Sequence, residues 1–512
     1  MSEPSAAVES PWETVGRVMA EVRALNGVLN LLSWDQETYM PPRGAVGRGE
    51  QLAAIEGAVH DRLTSPALQE ALSVLEAAPG AEPERALVLR ELRRDVARAV
   101  AVPGDLVRAI ARAQAEGHVA WTAAREEARF QLFAPALARL LHLRREQAAA
   151  LGPVLEREGA SSAPVESYDA LLDLSEPGMR VARLEPLFGS LQSWLVPLFD
   201  RIVARPPPED GFFRGRFEDA AQWKFTLELL ELIGFDLKAG RQDRSVHPLT
   251  AGLDPGDVRV TTRVYEDRPL SAIFSTLHEG GHGLYEQGLP TVERRSVLGT
   301  ASSFGLHESQ SRLWENQVGR SLAFWRGALP RLSRHFPKLE EVPVERFFRA
   351  VNRVERSLVR VDADEVSYNL HIVLRFEVEL ALVRGSLGVA DLPSAWNEGS
   401  ARLLGLRPPS DLLGVLQDIH WSWGLFGYFP TYALGNLYAA SLFAAARRAL
   451  PGLEEAIAGG QFIPLRDWLR RNVHEIGRRR TAEEIVRDAA GTGLSDADFR
   501  AYLERKYLEE LA

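Results

Sequence analysis

The residues best suited to chemistry lie in one short run, His278-Glu279-Gly280-Gly281-His282. On a helix, His278 and His282 sit one turn apart on one face, close enough for both imidazoles to hold a single metal ion. Glu279 is rotated by about 100° from His278, beside the ion, where it can take a proton from an activated water. This is the H-E-x-x-H pattern of zinc hydrolases. A catalytic zinc needs a third protein ligand and an open position. Glu286 continues the 278/282 stripe, but three residues spaced four apart spread along about 12 Å of helix and cannot converge on one ion. The third ligand is therefore expected from the next helical pattern, 306–315. Glu308 lies 26 residues beyond His282, a length that suits a loop and an antiparallel return, while Glu315 and His307 compete for the role. A near-miss, His474-Glu475-Ile476-Gly477-Arg478, ends in Arg, which cannot serve as a ligand, and reads as a surface helix. Gly280 and Gly281 each cost about 1 kcal/mol relative to Ala within a helix. They serve either close helix packing or room above the metal.

Apolar residues at three- and four-residue steps predict helices over 84–100, 105–118, 120–151, 220–233, 344–360, 366–384 and 482–489. Pro and Gly break the pattern near 41–42, 206–208, 252–256, 408–409 and 459–460. The stretch 257–264 instead alternates at period two and reads as a strand, with Asp257, Arg259 and Thr261 on one face and Val258, Val260 and Val264 on the other. Its partner is expected near 245–250 or 295–302, or is a bound extended peptide.

Composition narrows the chemistry. With 46% apolar and 25% charged residues, the 512-residue chain can bury a large core. Sixty basic against 70 acidic residues give a net charge of −10, which argues against nucleic acid as a partner. Zero cysteine removes disulfides, thiolate metal sites and thiol nucleophiles together, leaving His and carboxylates as metal ligands. No secretory leader or membrane-length apolar run is visible, so a cytoplasmic location is expected.

Several separated blocks resemble the carboxypeptidase Taq family of metallocarboxypeptidases. Beside the H-E-x-x-H run they are Asp257-Val-Arg259-Val-Thr261 (D-x-R-x-T), His307-Glu308-Ser309-Gln310 (H-E-S-Q), Val359-Arg360-Val-Asp-Ala363-Asp364, and Gly414-Val-Leu-Gln417-Asp418-Ile-His420-Trp421. The runs 33–38 and 428–432 are similar to family segments as well. Gly280 stands where larger residues are common in the family, and Val359 where Ile or Leu is usual.

The resemblance implies an almost all-helical fold, with two lobes around a deep groove and a small sheet at the active site. The chain is then a single peptidase domain, with an N-terminal lobe over about 1–210 and a zinc-site lobe over about 211–512. It implies zinc or cobalt held by His278, His282 and Glu308, with Glu279 as general base. It also implies release of single C-terminal residues from peptides, with broad tolerance and poor action at proline, by a homodimer. His420 and Tyr432 are the candidate oxyanion donors. Arg360 is the candidate clamp for the substrate carboxylate, placed by period on a helical stripe with Arg356, Asp364 and His371. Arg259 is the alternative clamp. Asp257, His247 and Gln417 are candidate supporting groups. Two other readings share the metal residues: a zinc endopeptidase of a related helical-groove fold, and a non-catalytic peptide-binding scaffold.

Overall fold

The structure, a computed structural model, describes residues 9–78, 80, 82–159, 164–292 and 295–511. Six helices lead: α1 (Pro11–Thr38), α2 (Ala45–Leu63), α3 (Pro66–Ala77), α4 (Pro83–Ala101), α5 (Gly104–Glu126) and α6 (Ala134–Arg157). After α7 (Ser167–Leu172), α8 (Val181–Val203) and α9 (Asp219–Ile233) comes the sheet, β1 (Gly240–Arg244), β2 (Thr250–Asp254) and β3 (Asp257–Thr262). Next come α10 (Pro269–Gly288), α11 (Phe304–Arg312), α12 (Leu322–His335), α13 (Val344–Val351), α14 (Tyr368–Arg384) and α15 (Leu392–Leu404). The chain closes with α16 (Pro430–Ala449), α17 (Leu453–Ala458), α18 (Ile463–Asn472), α19 (Ala482–Ala490) and α20 (Ala497–Arg505).

The mostly helical class with one small sheet is as expected. Helices α10, α14 and α16 are buried on nearly every face, and they form the centre around which the amphipathic helices pack. One continuous apolar core runs from Val102 to Tyr507. A second, smaller core is built from residues of α1, α3 and α4, closed by Val297 and Leu298.

In the sheet, β3 is central, parallel to β1 and antiparallel to β2. The faces alternate as read from 257 to 260, with Val258 and Val260 buried and Arg259 paired with Asp257 on the other side, but the strand ends at Thr262, short of Val264, and Thr261 is buried as well. The partner β2 starts where the first expected window ends. β1 was not anticipated, and 295–302 forms a short 3₁₀ turn instead of a strand.

Three readings are corrected. The expected helix 344–360 ends at Val351, and Arg360 sits in a 3₁₀ turn, off any helical stripe. The cause is Asp364, whose carboxylate accepts from the backbone N–H groups of Glu355, Val366 and Ser367 and holds the chain in a non-helical path. The break expected near 119 falls at 127–133, between α5 and α6. His474 is not on a surface helix. It is buried behind α10, hydrogen-bonded to Gln310 at 2.9 Å in a segment kinked at Gly477.

Candidate metal centre and active site

Helix α10 opens with Pro269 at its first position, where no intrahelical N–H is needed. It packs against α9, α11 and β3, so one buried helix carries His278, Glu279 and His282 between the sheet and α11. The glycines explain how closely it is held. A Cβ on Gly281 would lie 2.5 Å from the Gln310 carbonyl oxygen and 2.7 Å from Ser311 Cα, so α10 and α11 touch backbone to backbone there. Gly280 faces the Leu230 and Ile233 side chains of α9, which favours the close-packing reading over room above the metal. From the other side, Gly435 of α16 lets Glu308 pass, since a Cβ there would sit 2.5 Å from Glu308 Cγ.

Ligand atoms of His278, His282 and Glu308 lie within 4.8 Å of one another. Glu308 Oε2 is 3.8 Å from His278 Nε2 and 3.5 Å from His282 Nε2. Donors about 2.1 Å from one tetrahedral ion stand roughly 3.4 Å apart, so the set fits a zinc-sized cation. Each imidazole keeps Nε2 free because its Nδ1 is engaged elsewhere. His278 Nδ1 meets Glu315 Oε2 at 2.9 Å, and His282 Nδ1 meets His307 Nδ1 at 2.6 Å. His307 Nε2 in turn meets Glu286 Oε1 at 2.8 Å. Thus Glu315 and His307, the two competing candidates, orient the histidines. Beyond α11 the chain widens into a π-helical turn, Leu313–Val318, a geometry common at functional sites, and this turn carries Glu315.

The electrostatics favour a cation. Burial alone would raise the Glu308 carboxyl, but Arg312, bonded to Oε1 at 2.7 Å, and the imidazoles outweigh it and hold the carboxyl far below the usual range. Burial pushes His282 down to about 3, leaving the neutral imidazole that a metal requires. Burial, with a contribution from Glu308, raises Glu279 above an ordinary carboxyl, while Thr250 Oγ1 donates to its Oε2 at 2.7 Å.

Arg360, His420 and Tyr432 form one wall, joined to the ligands through Arg312 and Tyr368. Arg312 lies 4.1 Å from the Tyr368 ring centre, and Arg360 Nη1 donates to the Tyr368 hydroxyl at 2.9 Å. The Arg360 guanidinium lies 5.1 Å from the Tyr432 ring centre, and the Tyr432 hydroxyl shares a 3.0 Å hydrogen bond with His420 Nε2. Asp418 accepts from Arg360 Nε at 2.9 Å and from Arg375 Nε at 2.7 Å, and Gln417 Oε1 accepts from the Arg360 backbone N–H at 3.0 Å. Burial pushes His420 down to about 3 and keeps the Tyr432 hydroxyl protonated. Arg259 stands apart, paired twice with Asp257 at 3.0 Å and stacked 4.3 Å from the Trp34 ring centre. His247 is exposed between β1 and β2. A cleft of about 750 Å³ runs from α1 and α4 to the site, lined by Trp34, Arg94, Thr250, Phe304 and His307 among others.

Residues 14–507 match the family model described as carboxypeptidase Taq (M32) metallopeptidase. The chain belongs to this family. It is 44% identical over 503 residues to thermostable carboxypeptidase 1 of Thermus thermophilus, covering 98% of both chains. It is 34% identical over 480 residues to carboxypeptidase 1 of Bacillus subtilis, covering 93% of this chain and 94% of the relative. Among solved structures, an M32 carboxypeptidase from Deinococcus radiodurans R1 superposes with a TM-score of 0.93 at 38% identity, over 98% of this chain and 99% of that one. The protein is therefore an M32 metallocarboxypeptidase, a metal-dependent hydrolase acting on peptides.

Several site residues of this M32 enzyme escaped the sequence reading. Thr250 and Tyr368 act across loops, and no local spacing marks them, whereas Arg312 stands four residues after Glu308 on one helix face, an i,i+4 pair that the sequence displays. Glu286 had a signal, since it shares the His278/His282 stripe, but one excluded from the ligands it seemed to have no other use.

Proposed function

We propose that the enzyme is a zinc carboxypeptidase, with cobalt as a competent substitute, that removes single C-terminal residues of broad identity and acts poorly at proline. The observation that carries this reading is the adjacency of a three-ligand site with a general base to a buried guanidinium. Arg360 is 8% exposed, and among the described residues no hydrogen bond reaches its Nη2. His278, His282 and Glu308 would hold the ion, which supplies polarisation of the scissile carbonyl and of the attacking water. Glu279 Oε2, held by Thr250, takes the water's proton and passes it to the leaving amine nitrogen. His420 and Tyr432 donate to the oxygen that gains charge, and Arg360 binds the terminal carboxylate. Arg259, paired with Asp257 through Nε and Nη2 and stacked on Trp34, supports the sheet beside the cleft.

The endopeptidase alternative needs no carboxylate clamp, so a peptide and its C-terminally amidated twin separate the two readings. The expected result is one residue released from the acid and none from the amide. Internal cuts, or equal cleavage of both, would sink the assignment. Arg360→Ala should raise KM for the free acid at least about tenfold and leave the amide uncleaved. C-terminal proline should give the slowest turnover in a series of otherwise identical peptides. A homodimer in the cytoplasm completes the proposal, and a monomeric mass by light scattering would refute the dimer. No described helix is long and apolar enough to cross a membrane.

A further inference from the structure

The segment between His420 and Tyr428 is tied by one buried side chain that the proposed chemistry does not use. Glu379 of α14 is fully buried, and no described cation pairs with it. Its carboxylate takes three hydrogen bonds: the Trp421 indole N–H at 2.7 Å on Oε2, and the Gly427 backbone N–H at 2.7 Å and the Tyr168 hydroxyl at 2.8 Å on Oε1. Two of these partners are the residues that follow His420 and precede Tyr428. The turn they bound is tight. Gly424 and Gly427 have φ of 65° and 78°, and a Cβ on Gly427 would lie 2.6 Å from the Leu172 nitrogen, so only glycine allows this approach to α7. The indole of Trp421 is wedged edge-on against Trp396 and Phe429, with ring centres 6.0 Å and 6.1 Å away. At the other end, Tyr428 contacts Phe304 of the cleft at 5.4 Å between ring centres, and His420 lies 5.7 Å from Tyr428.

We propose that Glu379 is a positioning residue of the peptidase, clamping both ends of the 420–428 turn so that His420 stays aligned with the Tyr432 hydroxyl. A carboxylate suits this task because its two oxygens accept from opposite ends of the turn at once, while a glutamine must present an NH₂ group to one obligate donor. The proposal rests on His420 acting in the reaction, and a double-mutant cycle separates the two claims.

Glu379→Gln should lower kcat/KM at least about tenfold in metal-saturated, folded enzyme, but by less than about twofold in a His420→Ala background. Tyr168→Phe deletes the one bond that does not touch the turn. It should lower Tm and keep kcat/KM within about twofold of the parent. Equal losses from Glu379→Gln in both backgrounds, or full activity of Glu379→Gln, would overturn the positioning role. His420→Ala with parental activity would remove His420 from the mechanism and the proposal with it. Should Glu379→Gln fail to fold, Trp421→Phe, which removes one bond and keeps a ring, takes its place in the cycle. A loss of at least about threefold that vanishes in the His420→Ala background is then expected, and parental activity overturns the role.

Discussion

At the scale of single residues, the candidate metal centre shows two kinds of carboxylate. Glu308 and Glu315 are held ionised by Arg312 and the imidazoles, whereas Glu279 faces the ligands with its pKa raised by burial. Glu279→Gln should retain the metal in elemental analysis and lower kcat by several orders of magnitude. Unchanged turnover would remove Glu279 from the proton path. A third kind lies just outside the site. Burial pushes Glu176 up to about 7, while the Gly305 N–H at 3.0 Å and the Tyr438 hydroxyl at 3.2 Å, both donating to it, offset this in part. The folded state then holds a proton between about pH 4.5 and 7 that the unfolded chain has released, so this group favours folding at low pH and the benefit is lost as pH rises through 7. Glu176→Gln should therefore gain on the parent by about 2 kcal/mol between pH 5 and pH 8 in metal-saturated denaturant titrations. A constant difference between the two proteins would refute the raised value.

At the scale of elements, α10 and α11 decide whether the ligands converge. Gly281→Ala sets a Cβ against backbone atoms that cannot yield, and a loss of about 2–4 kcal/mol with weaker metal retention is expected. Gly280→Ala meets only the mobile ends of Leu230 and Ile233, and the helix-propensity gain of about 1 kcal/mol offsets the crowding. Comparing Tm and metal content of the two variants tests this contrast, and equal effects would contradict the close backbone contact. What was legible here followed the range of the forces involved. Helices α4, α9 and α19 and strand β3 were readable because their periodicity is local. Glu308 was readable as one of three candidates because its spacing from His282 is set by a single helix return. The stretch 352–359 misled because its apolar spacing is helical while the deciding bonds come from Asp364, up to nine residues away. His474 misled for a related reason: its partner Gln310 is 164 residues distant.

At the scale of the whole molecule, an ion held by His278, His282 and Glu308 would fasten α10 to α11. Chelation should remove the stabilisation that binding adds, about 4 kcal/mol at a metal concentration a thousand times Kd, and readdition should restore Tm. The apolar core containing α10 is much larger than the one in α1, α3 and α4. The smaller one meets the main body through Val297 and Leu298 and through polar contacts: Asp173 with Arg94 and Arg98, and Arg478 with Glu91 and Asp95. Of those helices, α1 and α4 line one wall of the cleft, while His278, His282 and Glu308 stand on α10 and α11, which pack in the larger core. The molecule is therefore expected to come apart in a definite order under rising urea. Peptide turnover should vanish in a first transition, as the wall melts, and bound metal should be released only in a second. Catalysis would end in this enzyme with its metal centre still assembled, because the substrate loses its track before the ion loses its ligands.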